Sequence, residues 1–111
     1  MRVYIATPIN AREGGSMEQK LAAAQERIRH LKQVLKGMNM FSGCEFFSTF
    51  DIPRDPNADN TEARAMGDCI TAVLNCDAIY LDKGWLQSKG CNLEYRAAKI
   101  YGKFIYYYNK L

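Results

Sequence analysis

The chain has few of the residues that build metal centres, disulfide frameworks or membrane spans. Its 111 residues include one histidine and four cysteines, and no two cysteines form a Cys-x-x-Cys pair, so we expect neither a zinc site nor any other cofactor. No apolar run approaches the length that crosses a membrane. The segment Met1–Ile5 lacks the layout of a signal peptide. We therefore expect a reduced, cytoplasmic protein with no membrane partner.

An excess of charge of one sign is also absent. The net charge is +3 at neutral pH, which is far from the clustered positive charge of a nucleic-acid-binding domain, although it would favour a small anionic ligand. Hydrophobic residues make up 48% and charged residues 24% of the chain, as in an ordinary globular protein. The length allows one domain, which we place at 1–111.

Predicted strands and helices alternate along the sequence. Short apolar runs predict strands at 2–6, 44–47, 78–81 and 104–108. Amphipathic segments predict a helix at 16–36, opened by a capping box of Ser16 and Gln19, and another at 61–75. A third helix follows the 84–94 loop, and its apolar stripe is predicted to be Leu93, Ala97, Ile100 and Tyr101.

This alternation predicts an α/β fold, a flavodoxin-like three-layer sandwich. Nearly continuous apolar strands indicate a parallel sheet that is covered by helices on both faces. Right-handed crossovers then give a sheet of four to five strands in the order 2-1-3-4. Three loops, at 7–16, 48–60 and 82–94, would leave the carboxyl ends of strands and surround one crevice.

Glu94 is the strongest catalytic candidate. It ends the loop after the third strand and lies in the predicted opening turn of the third helix, where open α/β sheets bind ligands. Helical side chains lean toward the amino terminus, and the helix dipole favours an ionised carboxylate there. We therefore predict a nucleophile rather than an acid. The alternative is a surface charge that complements the dipole or pairs with Arg96 or Lys99.

The three loops, in this order, resemble those of the nucleoside 2-deoxyribosyltransferase superfamily. Tyr4–Pro8 is similar to its opening strand and turn, Cys76–Leu81 to its third strand, and Ser88–Glu94 to the signature that carries its catalytic glutamate. The 2′-deoxynucleoside 5′-phosphate N-hydrolases are similar and also show a serine where Ser88 stands. The Gly-Trp followed by Ser-Lys-Gly and a glutamate resembles an uncharacterised bacterial and phage branch.

The resemblance implies cleavage or transfer of the N-glycosidic bond of a (deoxy)nucleoside or nucleoside 5′-monophosphate, with Glu94 as nucleophile. A second carboxyl group would protonate the departing base, and Asp68 and Asp82 compete for that role. The resemblance also implies a homodimer or higher homo-oligomer. Two departures stand out: the superfamily usually has an aspartate at Ser88, and Asp68 lies one residue too far from Asp77. A non-catalytic nucleotide-binding or sensor module of the same fold is the alternative function.

Substrate-binding candidates lie in the first and third loops. They are Thr7, Pro8, Asn10, Arg12, Trp85, Ser88 and Gly90. Arg12 and the amides near Gly90 would bind a phosphate, unless Arg12 is merely solvated. Asn10 either contacts the substrate or forms a turn, and Ser88 either binds it or caps the helix. Trp85 either stacks on the base or packs its loop against the domain.

Other titratable and aromatic residues are assigned to structural positions. Tyr4 and Tyr80 lie on central strands, and we expect both in the core. His30 falls outside the apolar stripe of the first helix and is expected on a solvated basic face. Asp77 lies at the amino end of the third strand, away from the predicted crevice.

Overall fold

Strands and helices alternate along the chain as the hydrophobic pattern predicts. The structure, a computed structural model, describes residues 1–9, 14–53, 57 and 61–108. Asn10 and Arg12 lie outside the described residues. The strands and helices are β1 (Arg2–Ala6), α1 (Met17–Lys36), β2 (Glu45–Phe47), α2 (Glu62–Leu74), β3 (Ala78–Leu81), α3 (Lys89–Ile100) and β4 (Phe104–Tyr107). No helix among these residues has the length and apolarity to span a membrane.

The four strands form one parallel sheet in the order β2-β1-β3-β4, which confirms the predicted flavodoxin-like arrangement. At its centre β1 pairs with β3, and Tyr4 lies opposite Ile79 while Ala6 lies opposite Leu81. Parallel neighbours cannot be joined by a tight turn, so helices make the crossovers. The carboxyl ends of all four strands therefore lie at one edge.

Alternate residues of the strands contact helices on opposite faces of the sheet, because side chains alternate along a strand. On one face, α1 packs on the sheet through Ile28 and Leu31. These two side chains form a core cluster with Val3, Ile5 and Tyr80 of the strands. On the other face, the side chains that pack together come from β1, β3, α2 and α3. They include Tyr4, Ala6, Ile79, Leu81, Val73, Cys91 and Ala98.

Polar caps fix where the helices begin. The Gln19 amide donates to Ser16 Oγ at 3.2 Å, and the Ser16 amide donates to Gln19 Oε1 at 2.9 Å, so the predicted capping box is confirmed. Gly37 caps the other end of α1. Thr61 caps α2 by accepting from the Arg64 amide at 3.2 Å.

The predicted apolar stripe of α3 is wrong. The buried residues of this helix are Cys91, Glu94 and Ala98. In contrast, Leu93 is 50%, Ile100 78% and Tyr101 66% exposed. The buried face includes a carboxylate, so counting only apolar residues selected the neighbouring face; successive helical residues are rotated by about 100°. Because of this rotation, the residues that were predicted to form a core stripe lie at the surface instead.

An ion pair ties α1 to the carboxyl ends of β1 and β3. Arg27 donates from Nε to Asp82 Oδ2 at 3.0 Å and from Nη2 to Oδ1 at 2.9 Å, and Thr7 Oγ1 donates to Oδ2 at 2.6 Å. Asp82 is 2% exposed. Burial would raise the pKa of Asp82, but the hydrogen bonds from Arg27, Thr7 and the Lys83 amide outweigh it and hold the pKa below its ordinary value.

We expect Arg27→Met to lower the free energy of unfolding by about 3 kcal/mol at pH 7, because it leaves the Asp82 carboxylate buried without its cation. The depressed pKa of Asp82 means that this contribution is present above its unfolded pKa and disappears as the pH falls through the folded pKa. Urea denaturation at pH 7 and pH 3 measures both effects.

Arg29→Met is the matched control for this substitution, because Arg29 lies on the same helix and pairs with Glu26 at the surface. It should leave the free energy of unfolding nearly unchanged, because solvent screens an exposed pair. Equal effects of the two substitutions would contradict the role assigned to the buried pair.

Candidate functional site

A cavity of about 720 Å³ opens at the carboxyl end of β1, where the predicted crevice lies. Its walls come from the start of α1, the turn at Thr49–Asp51, and the amino-terminal halves of α2 and α3. Its polar and titratable lining residues include Tyr4, Thr7, Thr49, Glu62, Cys69, Gln87, Ser88, Lys89, Cys91 and Glu94. Apolar side chains such as Met17, Phe50, Ile52 and Met66 line the rest. The volume is that of a site for a small molecule.

Glu94 lies in the wall of this cavity and is only 6% exposed. Ser88 caps α3, and its Oγ accepts from the Cys91 amide at 3.2 Å, so the helix begins at Lys89. Glu94 therefore lies in the second turn of α3 rather than the first. The dipole effect fades beyond the first turn, so it does little to favour the ionised carboxylate here.

Burial controls the charge of Glu94. It raises the pKa of the carboxyl group from an ordinary value of 4.5 to about 7, against the opposing effect of a hydrogen bond with Tyr4. Burial thus opposes the ionised form that the helix dipole was predicted to favour. Among the ion pairs of the described residues none involves Glu94, so pairing with Arg96 or Lys99 is not observed.

Tyr4 is the functional candidate that the sequence reasoning missed. It is buried, as expected of a core residue, but its hydroxyl is a neighbour of Glu94 and Cys69, and all three residues line the cavity. Burial and the nearby Glu94 carboxylate raise the pKa of Tyr4 well above its ordinary value, so the phenol keeps its proton and donates to Glu94. The feature of the sequence that could have identified Tyr4 is its place on the face of β1 that α2 and α3 cover.

The structure brings neither candidate acid to the cavity. Asp82 is engaged by Arg27 and Thr7 and does not line the cavity wall. Asp68 is half-buried on α2, also outside the lining. The next residue, Cys69, faces inward, and its Sγ donates to Thr49 Oγ1 at 3.3 Å. Because Asp68 is one residue away from Cys69, its side chain is rotated by about 100° from the cavity side of the helix.

The remaining candidates divide between the cavity and the packing around it. Thr7, Ser88 and Gly90 line the cavity, although the Ser88 hydroxyl also caps α3. Pro8 is buried outside the lining. Trp85 packs its ring on Tyr95, with centroids 4.9 Å apart, and on Tyr107 at 6.1 Å, so it holds its loop down instead of facing the cavity.

Two further cavity residues were not predicted from the sequence. Glu62 begins α2, and Lys89 begins α3. They place an exposed carboxylate and an exposed ammonium group on the cavity wall. Within the described parts of the chain, no three histidine, cysteine or acidic side chains are grouped to hold a metal ion.

We expect Glu94→Gln to stabilise the protein at pH 8.5 but not at pH 4.5. A carboxyl group whose folded pKa is raised contributes its full stability below the unfolded pKa, and that stability is lost as the pH rises through about 7. The glutamine carries no charge to desolvate, so the gain at pH 8.5 should be on the order of 2–3 kcal/mol. Chemical denaturation at both pH values measures it.

Glu62→Gln is the control, because Glu62 lines the same cavity but is exposed. It should shift the free energy of unfolding by less than about 1 kcal/mol at either pH. A loss of stability in Glu94→Gln at pH 8.5 would show that the carboxylate is not desolvated as the structure indicates.

Comparison with protein families identifies the domain to which this cavity belongs. No curated protein matches the chain. The family model described as "Domain of unknown function (DUF4406)" matches residues 1–107, which include every strand and helix of the fold and all the residues that line the cavity. The chain belongs to the DUF4406 family.

Proposed function

We propose that the protein cleaves or transfers the N-glycosidic bond of a (deoxy)nucleoside or nucleoside 5′-monophosphate, as a member of the nucleoside 2-deoxyribosyltransferase superfamily. The observation that carries the proposal is the position of Glu94. Its carboxyl group is desolvated in the wall of a cavity of ligand size, beside the Tyr4 hydroxyl. A buried carboxyl group with a perturbed pKa that faces a cavity is typical of a reactive group.

In the proposed reaction, a carboxylate oxygen of Glu94 attacks the anomeric carbon of the sugar. The bond between that carbon and the base nitrogen breaks, and the base leaves with the electron pair and takes up a proton. Water or a second base then displaces Glu94 and completes hydrolysis or transfer. The positive charge that develops on the sugar stabilises the ionised carboxylate in a site that otherwise favours its acid form.

Tyr4 positions the nucleophile in this scheme. Its hydroxyl donates to Glu94, and burial fixes the ring in the sheet, so the carboxylate is oriented without a cation that would neutralise it. The proton for the base would come from Glu62 or from solvent. Glu62 supports this role better than Asp68 or Asp82, because it is the one that lines the cavity.

The cavity walls fit the proposed substrate class. Phe50, Ile52 and Met66 offer apolar surface for a base. Lys89 and the first amides of α3 lie where a 5′-phosphate would meet a helix amino terminus. No cofactor is required for the reaction as proposed.

A binding or sensor module without turnover is the second candidate function. Two observations favour it: the Ser88 hydroxyl is engaged in capping α3, and neither Asp68 nor Asp82 lines the cavity. Such a protein would bind the nucleotide and release no base.

We expect Glu94→Gln to reduce base release by at least about 1,000-fold while the fold is kept, because the amide cannot form the glycosyl ester. Purified protein is incubated with a panel of nucleosides and nucleoside monophosphates, and free base is measured by chromatography. Glu26→Gln, which removes a surface carboxylate, should keep wild-type turnover. Turnover retained in Glu94→Gln would end the glutamate hypothesis, whereas binding without turnover in the wild type would support the sensor module.

We expect kcat/KM to rise with pH through an apparent pKa of about 7, because the nucleophile must be ionised. The Tyr4 hydrogen bond lowers the pKa of Glu94. Tyr4→Phe should therefore shift the midpoint of the profile to higher pH and lower the rate at pH 7. Cys44→Ala, a substitution of a half-buried residue outside the cavity, serves as control. A Tyr4→Phe profile that coincides with the wild type would exclude the positioning role.

A further inference from the structure

The hydroxyl group of Thr7 has a fixed direction in the cavity wall. Thr7 follows β1, lines the cavity and is buried, and its Oγ1 donates to Asp82 Oδ2 at 2.6 Å. A hydroxyl group has one hydrogen to donate and two lone pairs with which to accept. Because the hydrogen of Thr7 is engaged by Asp82, its oxygen can act toward a ligand only as an acceptor, whatever else the residue contacts.

Asp82 cannot reverse the direction of this hydrogen bond. Burial would raise the pKa of Asp82, but the hydrogen bonds that it accepts outweigh burial and hold the pKa below its ordinary value. The group is therefore a carboxylate at neutral pH, with no hydrogen to donate and about four acceptor sites. Four donors fill these sites: Nε and Nη2 of Arg27, the Thr7 hydroxyl and the Lys83 amide.

The Thr7 hydrogen is also held too strongly to turn toward a ligand. A hydrogen bond to an ionised acceptor is roughly twice as strong as one between neutral groups. If the hydroxyl turned, a buried carboxylate would lose one of its donors, and that loss would offset the new bond. A ligand that presents a fluorine, an ether oxygen or a phosphate to Thr7 would therefore place two acceptors against each other.

We propose that the Arg27–Asp82–Thr7 network makes the cavity select ligands that present a hydrogen-bond donor, a hydroxyl or an N–H group, to Thr7 Oγ1. Arg27 and Asp82 are positioning residues, because they act on the ligand through Thr7. The inference rests on the proposed function for the class of ligand, a nucleoside. It adds which kind of group the nucleoside presents on the side of the cavity that α1 supports through Arg27.

The test compares ligands that differ in one donor. Calorimetry first measures the binding of 2′-deoxyadenosine, 2′-deoxyguanosine, 2′-deoxycytidine and thymidine to Glu94→Gln protein, so that no ligand is consumed. The nucleoside that binds most tightly is then compared with analogues in which fluorine replaces its 3′- or 5′-hydroxyl group, or methyl groups replace the N–H hydrogens of its base. One of these replacements should weaken binding about 10-fold or more, because it removes the donor that faces Thr7.

Thr7→Val in the same background separates this contact from the other contacts of the ligand. The replacement that weakens binding should now cost less than about 3-fold, because valine has no acceptor to leave unpaired. Thr7→Ser keeps the hydroxyl group and should keep the full discrimination. Thr49→Val, at another threonine of the cavity wall, should also keep it. A general loosening of the cavity would weaken both ligands of a pair alike and leave their ratio unchanged.

Arg27→Met tests the positioning role. Without the guanidinium, burial raises the pKa of Asp82, so its carboxyl group can take up a proton and donate to Thr7. The ligand without the donor should then regain part of its affinity relative to its parent. Unchanged discrimination would contradict the role of Arg27.

Two outcomes overturn the inference in different ways. A nucleoside that binds, while every replacement costs the same in Thr7→Val as in its Thr7 parent, would overturn it and leave the proposed function standing. Failure of all four nucleosides to bind would refute the proposed function, and this inference would be refuted with it.

Discussion

The parallel pairing of β1 with β3 is the constraint on which the rest of the structure depends. It places the ends of two strands that are distant in sequence at the same edge of the sheet, where the Asp82 amide donates to the Ala6 carbonyl at 3.0 Å. Thr7 can then reach the Asp82 carboxylate, and Tyr4 can reach Glu94. A shift of this pairing by one residue would turn Tyr4 toward α1 and remove it from the site.

Two buried carboxyl groups at this edge have opposite pKa shifts, and the difference lies in their neighbours. Asp82 receives hydrogen bonds from a guanidinium, a hydroxyl and an amide, so its charge is compensated and its pKa falls. The burial of Glu94 is opposed by one phenolic donor alone, so its pKa rises. Divergent environments of this kind separate a carboxylate that holds the fold from one that can react.

Much of the fold could be predicted from the sequence, because strand runs, caps and crossover lengths are local signals. The strand order and the Ser16 capping box are examples. The identity of Glu94 as a cavity residue also followed, since a loop after a strand end fixes its position at the sheet edge. The strand order and the capping box depended on spacing along the chain and not on the rotation of a helix.

The errors on α2 and α3 share one physical origin, the rotation of a helix about its own axis. A change of one residue moves a side chain by about 100°, and this separates Asp68 from Cys69 on α2 and Leu93 from Glu94 on α3. Apolar periodicity fixes that rotation only when the buried face is apolar. Here the buried face of α3 contains a carboxyl group, so the pattern favoured the wrong side. The contact between Tyr4 and Glu94 is tertiary, and no local signal encodes it.

The position of Trp85 decides what its fluorescence can report. It is the only tryptophan of the chain, and it packs on Tyr95 of α3 and Tyr107 of β4. Energy absorbed by these tyrosines can therefore be transferred to the indole. The fluorescence emission of Trp85 thus depends on whether α3 and β4 are packed against it. Because the indole lies outside the cavity wall, a ligand that fills the cavity leaves its immediate surroundings unchanged. The natural emission of this protein is thus a signal of unfolding and a poor one of occupancy.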